Sequence, residues 1–489
     1  MIEFDLIIGL EVHVQLNTKS KMFCSCSASY FGKEPNTHTC PVCLGLPGAL
    51  PVANREAIKK ALTTGIALSC SQPEISKFDR KNYFYPDLAK GFQISQFDQP
   101  FSVNGHLLVG DRKIRINRAH LEEDTGKLIH ADVDGSRVSL VDFNRSGVPL
   151  LEIVSEPDIT SPEEAREYAQ KLNLILRTIG VAEGDMEKAG MRFDANLSLK
   201  PKGQKELGTK VEIKNINSFR FLEKAIYYEF SRQSELLQKG EKIVQETRGW
   251  VESKGVTQTQ RSKEQAHDYR YFPEPDIPTF IMDNEHKKDY GIVLLKLPDA
   301  RVADIVRLGL EERFAKTLVD KDSDSWFMTL LHAYEQTESK ALGSSHFDNS
   351  KAQILARWMM EVFRILKEKN LLLAELKGEA SGVANIQYRI DKGELTAANA
   401  KQVLEEYLLT GDSIDSLIKK YGIGAPKDLN LDEIVSQVIQ VNQKAVNDYQ
   451  SGKDQALFFL VGQVVKESRG AANAEDAKRT LLEKLKDAH

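Results

Sequence analysis

The sequence lacks the features by which membrane, secreted and basic nucleic-acid-binding proteins are recognised. Its 489 residues include only five cysteines, and no apolar run approaches the ~20 residues of a membrane-spanning helix. Glu3 and Asp5 interrupt the first residues, so no basic segment precedes an apolar one as in a secretory signal. Lys and Arg total 66 against 71 Asp and Glu, a net charge of -5, so the global field does not attract polyanions. These absences predict a cytoplasmic globular protein without a membrane partner.

Common nucleotide-binding motifs are also missing. The segment 203–210 resembles a P-loop, but it ends in Thr-Lys where the motif has Lys followed by Ser or Thr. There is no G-x-G-x-x-G of a dinucleotide fold and no G-x-S-x-G of a hydrolase elbow. Any nucleotide must therefore be held by another arrangement of residues.

The hydrophobic pattern changes along the chain and predicts an α+β fold. Up to about residue 290, short alternating runs broken by Gly, Pro and Asn predict strands, with one helix between Pro162 and Ile179. Beyond Asp299 helical periodicity replaces them. Mixed and antiparallel sheets with helices therefore precede an all-helical domain and a small helical tail domain. The predicted domains are residues 1–295, 296–408 and 409–489.

Four of the five cysteines lie in one short segment and predict a metal site. Cys24 and Cys26 form a C-x-C pair, and Cys40 and Cys43 form a C-x-x-C pair after thirteen intervening residues. Two close thiolate pairs can meet at one tetrahedral Zn²⁺, so residues 24–43 are predicted to form a zinc knuckle. A site with four cysteine ligands is closed and therefore structural. Four buried or free thiols are the alternative.

Alternation in several predicted strands gathers polar side chains on one strand face. Glu11 and His13 share the face opposite the apolar residues of the first strand, and Arg192 and Asp194 do so in a later one. Further polar residues on or beside predicted strands are Glu122, Glu123, Glu152, Lys210, Glu212 and Lys214. If the faces converge, the carboxylates and the histidine suit Mg²⁺ and a nucleoside triphosphate.

Basic residues on the same strands are candidates for binding phosphate. Arg192, with Lys210 or Lys214, would neutralise phosphate oxygens next to the carboxylates. The alternative is a set of ion pairs between exposed strands. Periodicity along the chain does not decide between them, because it does not show that the faces converge.

Six motifs, in order along nearly the whole chain, point to one protein family. They are Ile8–Val14, Lys77–Asp87, Gln93–Pro100, Leu151–Asp158, Asp268–Asp276 and Phe459–Gln463. In these motifs the sequence resembles the B subunit of the bacterial glutamyl/aspartyl-tRNA amidotransferases, which make Gln-tRNA(Gln) and Asn-tRNA(Asn) indirectly. The resemblance implies that residues 1–295 form a catalytic cradle distantly similar to glutamine synthetase.

The same resemblance implies a reaction and its partners. The cradle of the family binds ATP and Mg²⁺ and phosphorylates the side-chain carboxylate of a Glu or Asp misattached to tRNA. Ammonia from a glutaminase (amidase) subunit then displaces the phosphate, so the whole complex is an ATP-dependent, glutamine-hydrolysing carbon–nitrogen ligase. The small C subunit is the third member of the heterotrimer, and the tail contacts the misacylated Glu-tRNA(Gln) or Asp-tRNA(Asn).

Individual roles follow from the resemblance residue by residue. The implied Mg²⁺ ligands are Glu11, His13, Glu123 and Glu152, with Glu122, Asp194 and Arg192 near the nucleotide. Glu122 and Glu123 are adjacent and would point to opposite faces of a strand, so the choice between them is open. The segment 80–87 is the candidate mouth of the ammonia tunnel, with a plain buried aromatic turn as the alternative. Candidate tRNA contacts in the tail are Lys453, Lys466 and Arg469.

Two other functions fit part of the same pattern. An ATP-dependent ligase acting on a small free carboxylate would share the cradle but would need neither tRNA nor the tail. A zinc-stabilised RNA-binding subunit without catalysis would need the cysteines but not the carboxylates. The sequence does not decide whether Glu-tRNA(Gln), Asp-tRNA(Asn) or both are substrates.

Overall fold

The computed structural model describes residues 3–184, 186, 190–262, 269–342, 349–423, 430–468, 472 and 474–487. Asp268, which begins one motif, and Arg469, a candidate tRNA contact, lie outside them. The chain forms two compact units, residues 1–297 and 298–489. No helix within the described ranges is long and apolar enough to cross a membrane.

The first unit contains the strands and a few helices. Its strands are β1 (Phe4–Gln15), β2 (Ile75–Ser76), β3 (Asp79–Asn82), β4 (Phe92–Ser95), β5 (Ser102–Val109), β6 (Arg112–Glu123), β7 (Lys127–Val133), β8 (Ser136–Asp142), β9 (Pro149–Ser155), β10 (Met191–Pro201), β11 (Val211–Ile216), β12 (Glu246–Val251), β13 (Val256–Ser262), β14 (Phe272–Pro273) and β15 (Phe280–Ile281). Its helices are α1 (Arg55–Ala67), α2 (Pro162–Thr178), α3 (Phe219–Gln238) and α4 (Asn284–Asp289).

An eight-stranded sheet organises this unit. Its order is β13-β12-β11-β10-β1-β9-β6-β5, and its pairs are antiparallel except for parallel β11 and β12. Smaller sheets are formed by β14-β3-β4, by β15-β2 and by the hairpin β7-β8. Strands far apart in sequence thus lie side by side around β1.

Helices α1, α2 and α3 pack on one face of the large sheet and bury its apolar residues. Leu10, Val12 and Val14 of β1 are completely buried there, as the alternation predicts. Each such side chain contributes about 1.5–3 kcal/mol to folding. The predicted helix near residue 162 is confirmed as α2, which begins at Pro162 after the N-cap Ser161. Polar residues of the strands are left for the opposite face.

The second unit is helical throughout the residues that are described. Its helices are α5 (Pro298–Arg307), α6 (Glu312–Asp320), α7 (Asp324–Leu342), α8 (Asn349–Lys369), α9 (Ala380–Asp391), α10 (Ala397–Thr410), α11 (Ile414–Lys420), α12 (Leu431–Val441), α13 (Gln443–Gln450), α14 (Asp454–Glu467) and α15 (Ala474–Asp487). Sheets followed by helices confirm the predicted α+β class. Helices α12, α14 and α15 share a separate apolar core. The predicted boundary between 408 and 409 falls in the last turn of α10 and stays a prediction.

Candidate active site and zinc site

Pairing of β1 with β9 and β10 brings the predicted polar residues together. His13 of β1 lies opposite Glu152 on β9 and opposite Arg192 on β10. Glu11, two residues earlier, lies opposite Asp194. Directly opposed residues of neighbouring strands project from the same face. The sheet therefore carries an acidic face on the side away from α1, α2 and α3.

The first acidic group consists of His13, Glu122 and Glu152. One ligand atom from each lies within 4.8 Å of the others. The Nε2 atom of His13 is 3.3 Å from Oε2 of Glu152, and Nε2 of His120 is 3.6 Å from the same oxygen. Ser95 donates a hydrogen bond of 3.3 Å to Glu122. Two carboxylates and an imidazole in this arrangement form a ligand set for a divalent cation.

The charges of the first acidic group depend on one another. Burial opposes ionisation of Glu152, but the neighbouring His120 and His13 hold its pKa well below the usual range. Burial alone would lower the pKa of His13, yet the hydrogen bond and charge of Glu152 raise it. Burial lowers the pKa of His120, against the opposing charges of Glu152 and Glu122. Glu152 is thus an ionised carboxylate between two imidazoles.

The second acidic group consists of Glu11, Asp194 and Glu212, whose ligand atoms also lie within 4.8 Å of one another. Asn196 donates to Glu11 at 2.8 Å. The hydroxyl of Thr247 donates to Glu212 at 2.8 Å. Burial and the carboxylates of Glu152 and Asp194 raise the pKa of Glu11. The raised pKa of Glu11 shows that the positive groups nearby only partly balance the negative charge of these carboxylates.

Lys214 supplies part of that neutralisation. Its Nζ lies 3.4 Å from Asp194 and 3.2 Å from Glu212. Burial would lower the pKa of Lys214, but these carboxylates raise it. Lys210 precedes β11 and is exposed. Despite burial, the charge of Lys214, the Thr247 hydroxyl and, less strongly, Lys210 lower the pKa of Glu212.

Arg192 is held by a buried carboxylate to which the sequence pattern assigns no role. Its Nη2 atom donates to Asp124 at 3.0 Å. Gln15 donates to the other oxygen of Asp124 at 2.8 Å and exchanges hydrogen bonds with Tyr30. Burial opposes the charge of Asp124, but Arg192 and Arg145 lower its pKa to about 2. Arg192 is therefore already paired with a carboxylate.

The four cysteines of the segment 24–43 meet at one point. Their Sγ atoms all lie within 4.8 Å of one another, and the thiols are free. The Sγ atoms of Cys40 and Cys43 are 3.8 Å apart. Thiolates ~2.3 Å from a tetrahedral Zn²⁺ lie roughly 3.8 Å from each other. The spacing fits zinc and leaves the sulfurs too far apart for a disulfide.

Hydrogen bonds and a buried lysine favour thiolate at Cys43. The Cys24 thiol donates a hydrogen bond that, despite burial, lowers the pKa of Cys43 to about 4. The Cys40 backbone N–H also donates to this sulfur at 3.1 Å. The fully buried Lys21 places its Nζ 3.7 Å from the sulfur. A cation and N–H donors around the sulfurs would compensate the negative charge of four thiolates if zinc were bound.

Comparison with known proteins identifies the family of the chain. The profile of the GatB/GatE catalytic domain matches residues 6–288, and that of the GatB domain matches residues 344–485. The chain belongs to the GatB/GatE family. It is 46% identical over 492 residues to the B subunit of the aspartyl/glutamyl-tRNA(Asn/Gln) amidotransferase of Carboxydothermus hydrogenoformans, with 99% of each chain covered. It is 42% identical over 500 residues to the protein of the same name from Dehalococcoides mccartyi, with 100% of each chain covered. The resemblance inferred from the six motifs is thereby confirmed.

Within this GatB/GatE fold, one predicted ligand, Glu123, lies outside the two acidic groups. Glu123 does not lie with Glu11, His13 and Glu152. Its carboxylate accepts a hydrogen bond of 2.9 Å from the backbone of Ile94 and forms an ion pair with Lys90. Because adjacent strand residues point to opposite faces, Glu122 is the one that joins the first acidic group.

Replacing these adjacent glutamates should separate their roles. Glu122→Gln should raise the Mg²⁺ concentration for half-maximal ATP cleavage by about tenfold or more, because the first acidic group loses one negative charge. Glu123→Gln should leave that concentration unchanged and lower the unfolding temperature, since Lys90 loses its partner. ATP-cleavage titrations and thermal unfolding measure the two effects. An equal shift in Mg²⁺ dependence for both variants would contradict this assignment.

Other members of the site were missed by sequence analysis. His120 was not named as a candidate, although it alternates with Glu122 along β6. The local pattern does not show that His120 lies opposite Glu152 of β9. Glu212 was noticed as a strand residue without a ligand role. Asp124 follows the end of β6, and no periodicity marks it as the partner of Arg192.

The predicted tunnel segment 80–87 approaches the acidic face through Lys81. Burial would lower the pKa of Lys81, but the charges of Glu122 and Glu152 raise it. The exposed Phe84 and Tyr85 lie further along this segment. Its role in the passage of ammonia stays a prediction.

Proposed function

We propose that the two acidic groups bind Mg·ATP and that the chain phosphorylates the side-chain carboxylate of a Glu or Asp misattached to tRNA. The chain is one of the subunits of a tRNA-dependent amidotransferase of the GatB/GatE family. Ammonia from the glutaminase subunit would displace the phosphate from the acyl phosphate and form the amide. The small C subunit would make the complex a heterotrimer, and the tRNA substrate implies a cytoplasmic location.

The observation that carries this proposal is the pair of acidic groups on neighbouring positions of one sheet face. His13 and Glu11 are two residues apart on β1, which corresponds to about 7 Å along the strand. Each acts with carboxylates of other strands, so each group offers three ligands. Mg²⁺ bound there would neutralise phosphate oxygens as charge moves between ATP and the attacking carboxylate.

Two buried polar atoms without a hydrogen-bond partner among the described residues support the binding of a ligand at the acidic face. Nδ1 of His13 and Oδ1 of Asn196 have no hydrogen-bond partner within the described part of the chain. Buried polar atoms of a native protein are nearly always paired, and water or a ligand commonly supplies the partner. Both residues project from the acidic face, where the nucleotide, its cations or water would satisfy them.

The residues of the chain have defined tasks in this reaction. Glu152 stays ionised and orients His13, while Asn196 orients Glu11. Lys214 balances the charges of Asp194 and Glu212 and so allows both to lie close to Glu11. Catalysis is then chiefly positioning and charge stabilisation, because an in-line phosphoryl transfer needs little covalent chemistry from the protein.

We further propose zinc at the four cysteines as a structural element. The thiol spacing and the buried Lys21 support it. The tail at 409–489 is proposed to contact tRNA, with Lys453 and Lys466 as candidates. Lys453 is paired with Asp448 at 2.8 Å, and Lys466 is exposed on α14.

The direct test uses the chain assembled with its partner subunits. ATP cleavage and Gln-tRNA or Asn-tRNA formation are measured with ammonium, comparing misacylated with uncharged tRNA. We expect both products only with misacylated tRNA, and the tRNA that reacts identifies the substrate. Cleavage with a small carboxylate and no tRNA would favour a free-acid ligase. No cleavage under any condition would favour the zinc-stabilised binding subunit.

Thr247 offers a test of the second acidic group. Thr247→Val removes the hydroxyl that orients Glu212 and should raise the Mg²⁺ concentration for half-maximal ATP cleavage about tenfold. Thr247→Ser keeps a hydroxyl and should restore most of the wild-type value. Titration of ATP cleavage with Mg²⁺ measures both. Identical curves for the Val variant and wild type would remove Glu212 from the proposed site.

A further inference from the structure

Arg118 of β6 lies on the acidic face beside the first acidic group. The sheet register aligns Arg118 with Val154 of β9, which in turn lies opposite Glu11 of β1. Val154 is half-buried and carries no polar group, so it forms the floor between the guanidinium and the second acidic group. Arg118 and Glu11 are thus two strands apart, or about 10 Å between backbones.

The contacts of Arg118 leave much of its guanidinium unused. Nε donates to Nδ1 of His120 at 3.3 Å, and Nη1 donates to Asn117 at 3.4 Å. Nη2 lies 3.9 Å from Glu152, which is an ion pair but too long for a hydrogen bond. A guanidinium has five N–H donors, and Arg118 makes no other hydrogen bond to the described residues. About a third of the side chain, 36%, remains exposed to solvent.

Two of the three cations that the sequence pattern assigns to phosphate, Arg192 and Lys214, are already paired with carboxylates. Arg192 is only 23% exposed and donates to the buried Asp124, and Lys214 lies between two carboxylates of the second acidic group. Phosphate binding by either would compete with these contacts. Arg118 keeps its donors available at the edge of the same face, and its contact with His120 fixes the direction of the guanidinium.

We propose that Arg118 binds the phosphates of the nucleotide and thereby acts as a substrate-binding residue of the ATP-cleaving site. The inference rests on the proposed function. A planar guanidinium suits two phosphate oxygens at once, and charge-assisted hydrogen bonds to phosphate are among the strongest that side chains make. With Mg²⁺ at the acidic groups and Arg118 across Val154, positive charge surrounds the phosphates on both sides.

The test compares Arg118→Gln, Arg118→Lys and Arg115→Gln in the assembled complex. Arg115 is the matched control because it lies on the same strand and is exposed, where it pairs with Asp158. The KM for ATP should rise about 10- to 100-fold in Arg118→Gln, by less in Arg118→Lys, and not in Arg115→Gln. Thermal unfolding checks that all three variants are folded.

Inhibition by two ligands distinguishes phosphate binding from a structural role. A non-hydrolysable ATP analogue should inhibit Arg118→Gln more weakly than wild type, whereas adenosine should inhibit both equally. Equal weakening of both ligands, or a change only in Mg²⁺ dependence, would instead make Arg118 a support for His120 and Glu152. A wild-type KM in Arg118→Gln would also overturn the inference.

Failure of the proposed function has a different outcome from failure of this inference. Glu11→Gln and Glu152→Gln are measured in the same assay. If these two variants lose ATP cleavage while Arg118→Gln keeps the wild-type KM for ATP, the proposed ATP site is supported and the proposed role of Arg118 is contradicted. If all retain wild-type cleavage, the acidic face is not the ATP site, and both proposals fall.

Discussion

Glu152→Gln should lower Mg²⁺-dependent ATP cleavage by about 10³-fold, because it removes the charge at the centre of the first acidic group. Glu152 touches both His13 and His120, and glutamine preserves its size. The substitution therefore removes charge with little change in packing. The measurement is the rate of ATP cleavage by the assembled complex with misacylated tRNA and saturating ammonium.

A nearby carboxylate supplies the control for this experiment. Glu156 follows β9, accepts a hydrogen bond from Asn117 at 2.8 Å and belongs to neither acidic group. Glu156→Gln should retain the wild-type rate. Circular dichroism and the unfolding temperature show whether each variant is folded. If folded Glu152→Gln cleaves ATP at the wild-type rate, the first acidic group has no part in the reaction.

The second large effect concerns the zinc site. Cys43→Ser should remove bound zinc and lower the unfolding free energy of the first unit by several kcal/mol, a large part of the ~5–15 kcal/mol that stabilises a protein. Cys43 is the buried member of the four and the one next to Lys21. Without the metal, no ion links the three remaining thiols, and the buried Lys21 loses the thiolate beside it.

Two measurements check the zinc prediction. Elemental analysis should find one zinc per wild-type chain and none in Cys43→Ser, and thermal unfolding should show the lost stability. Cys70 lies outside the cluster, so Cys70→Ala should retain the zinc. Removing zinc with a chelator should reproduce the instability, but protein that stays folded should still cleave ATP. A zinc-free wild-type chain of unchanged stability would contradict a structural metal.

The segment that follows the cysteines also packs against Lys90. Gly45 has a φ of +66°, and a Cβ there would lie 2.3 Å from Cγ of Lys90. Lys90 in turn pairs with Glu123 at the end of β6. Loss of zinc should therefore disturb the Lys90–Glu123 ion pair first, and the two acidic groups only after it.

Local patterns in the sequence predicted much of the secondary structure. Alternation placed Leu10, Val12 and Val14 on the buried face of β1 and Glu11 and His13 on the other. A side chain's direction in a strand repeats every two residues, so it follows from neighbouring residues alone. The helix near Pro162 and the two cysteine pairs were equally local features.

The sequence by itself therefore determined the family, the α+β class and the residue types that the chemistry needs. Only the tertiary structure decided which of them meet. Residues 11, 122, 152, 194 and 212 become neighbours through the order and register of distant strands, which no local period encodes. The same pairing of strands brings Glu122, and not Glu123, into the first acidic group. It also places Arg192 against Asp124 and leaves several N–H groups of Arg118 without a hydrogen-bond partner among the described residues.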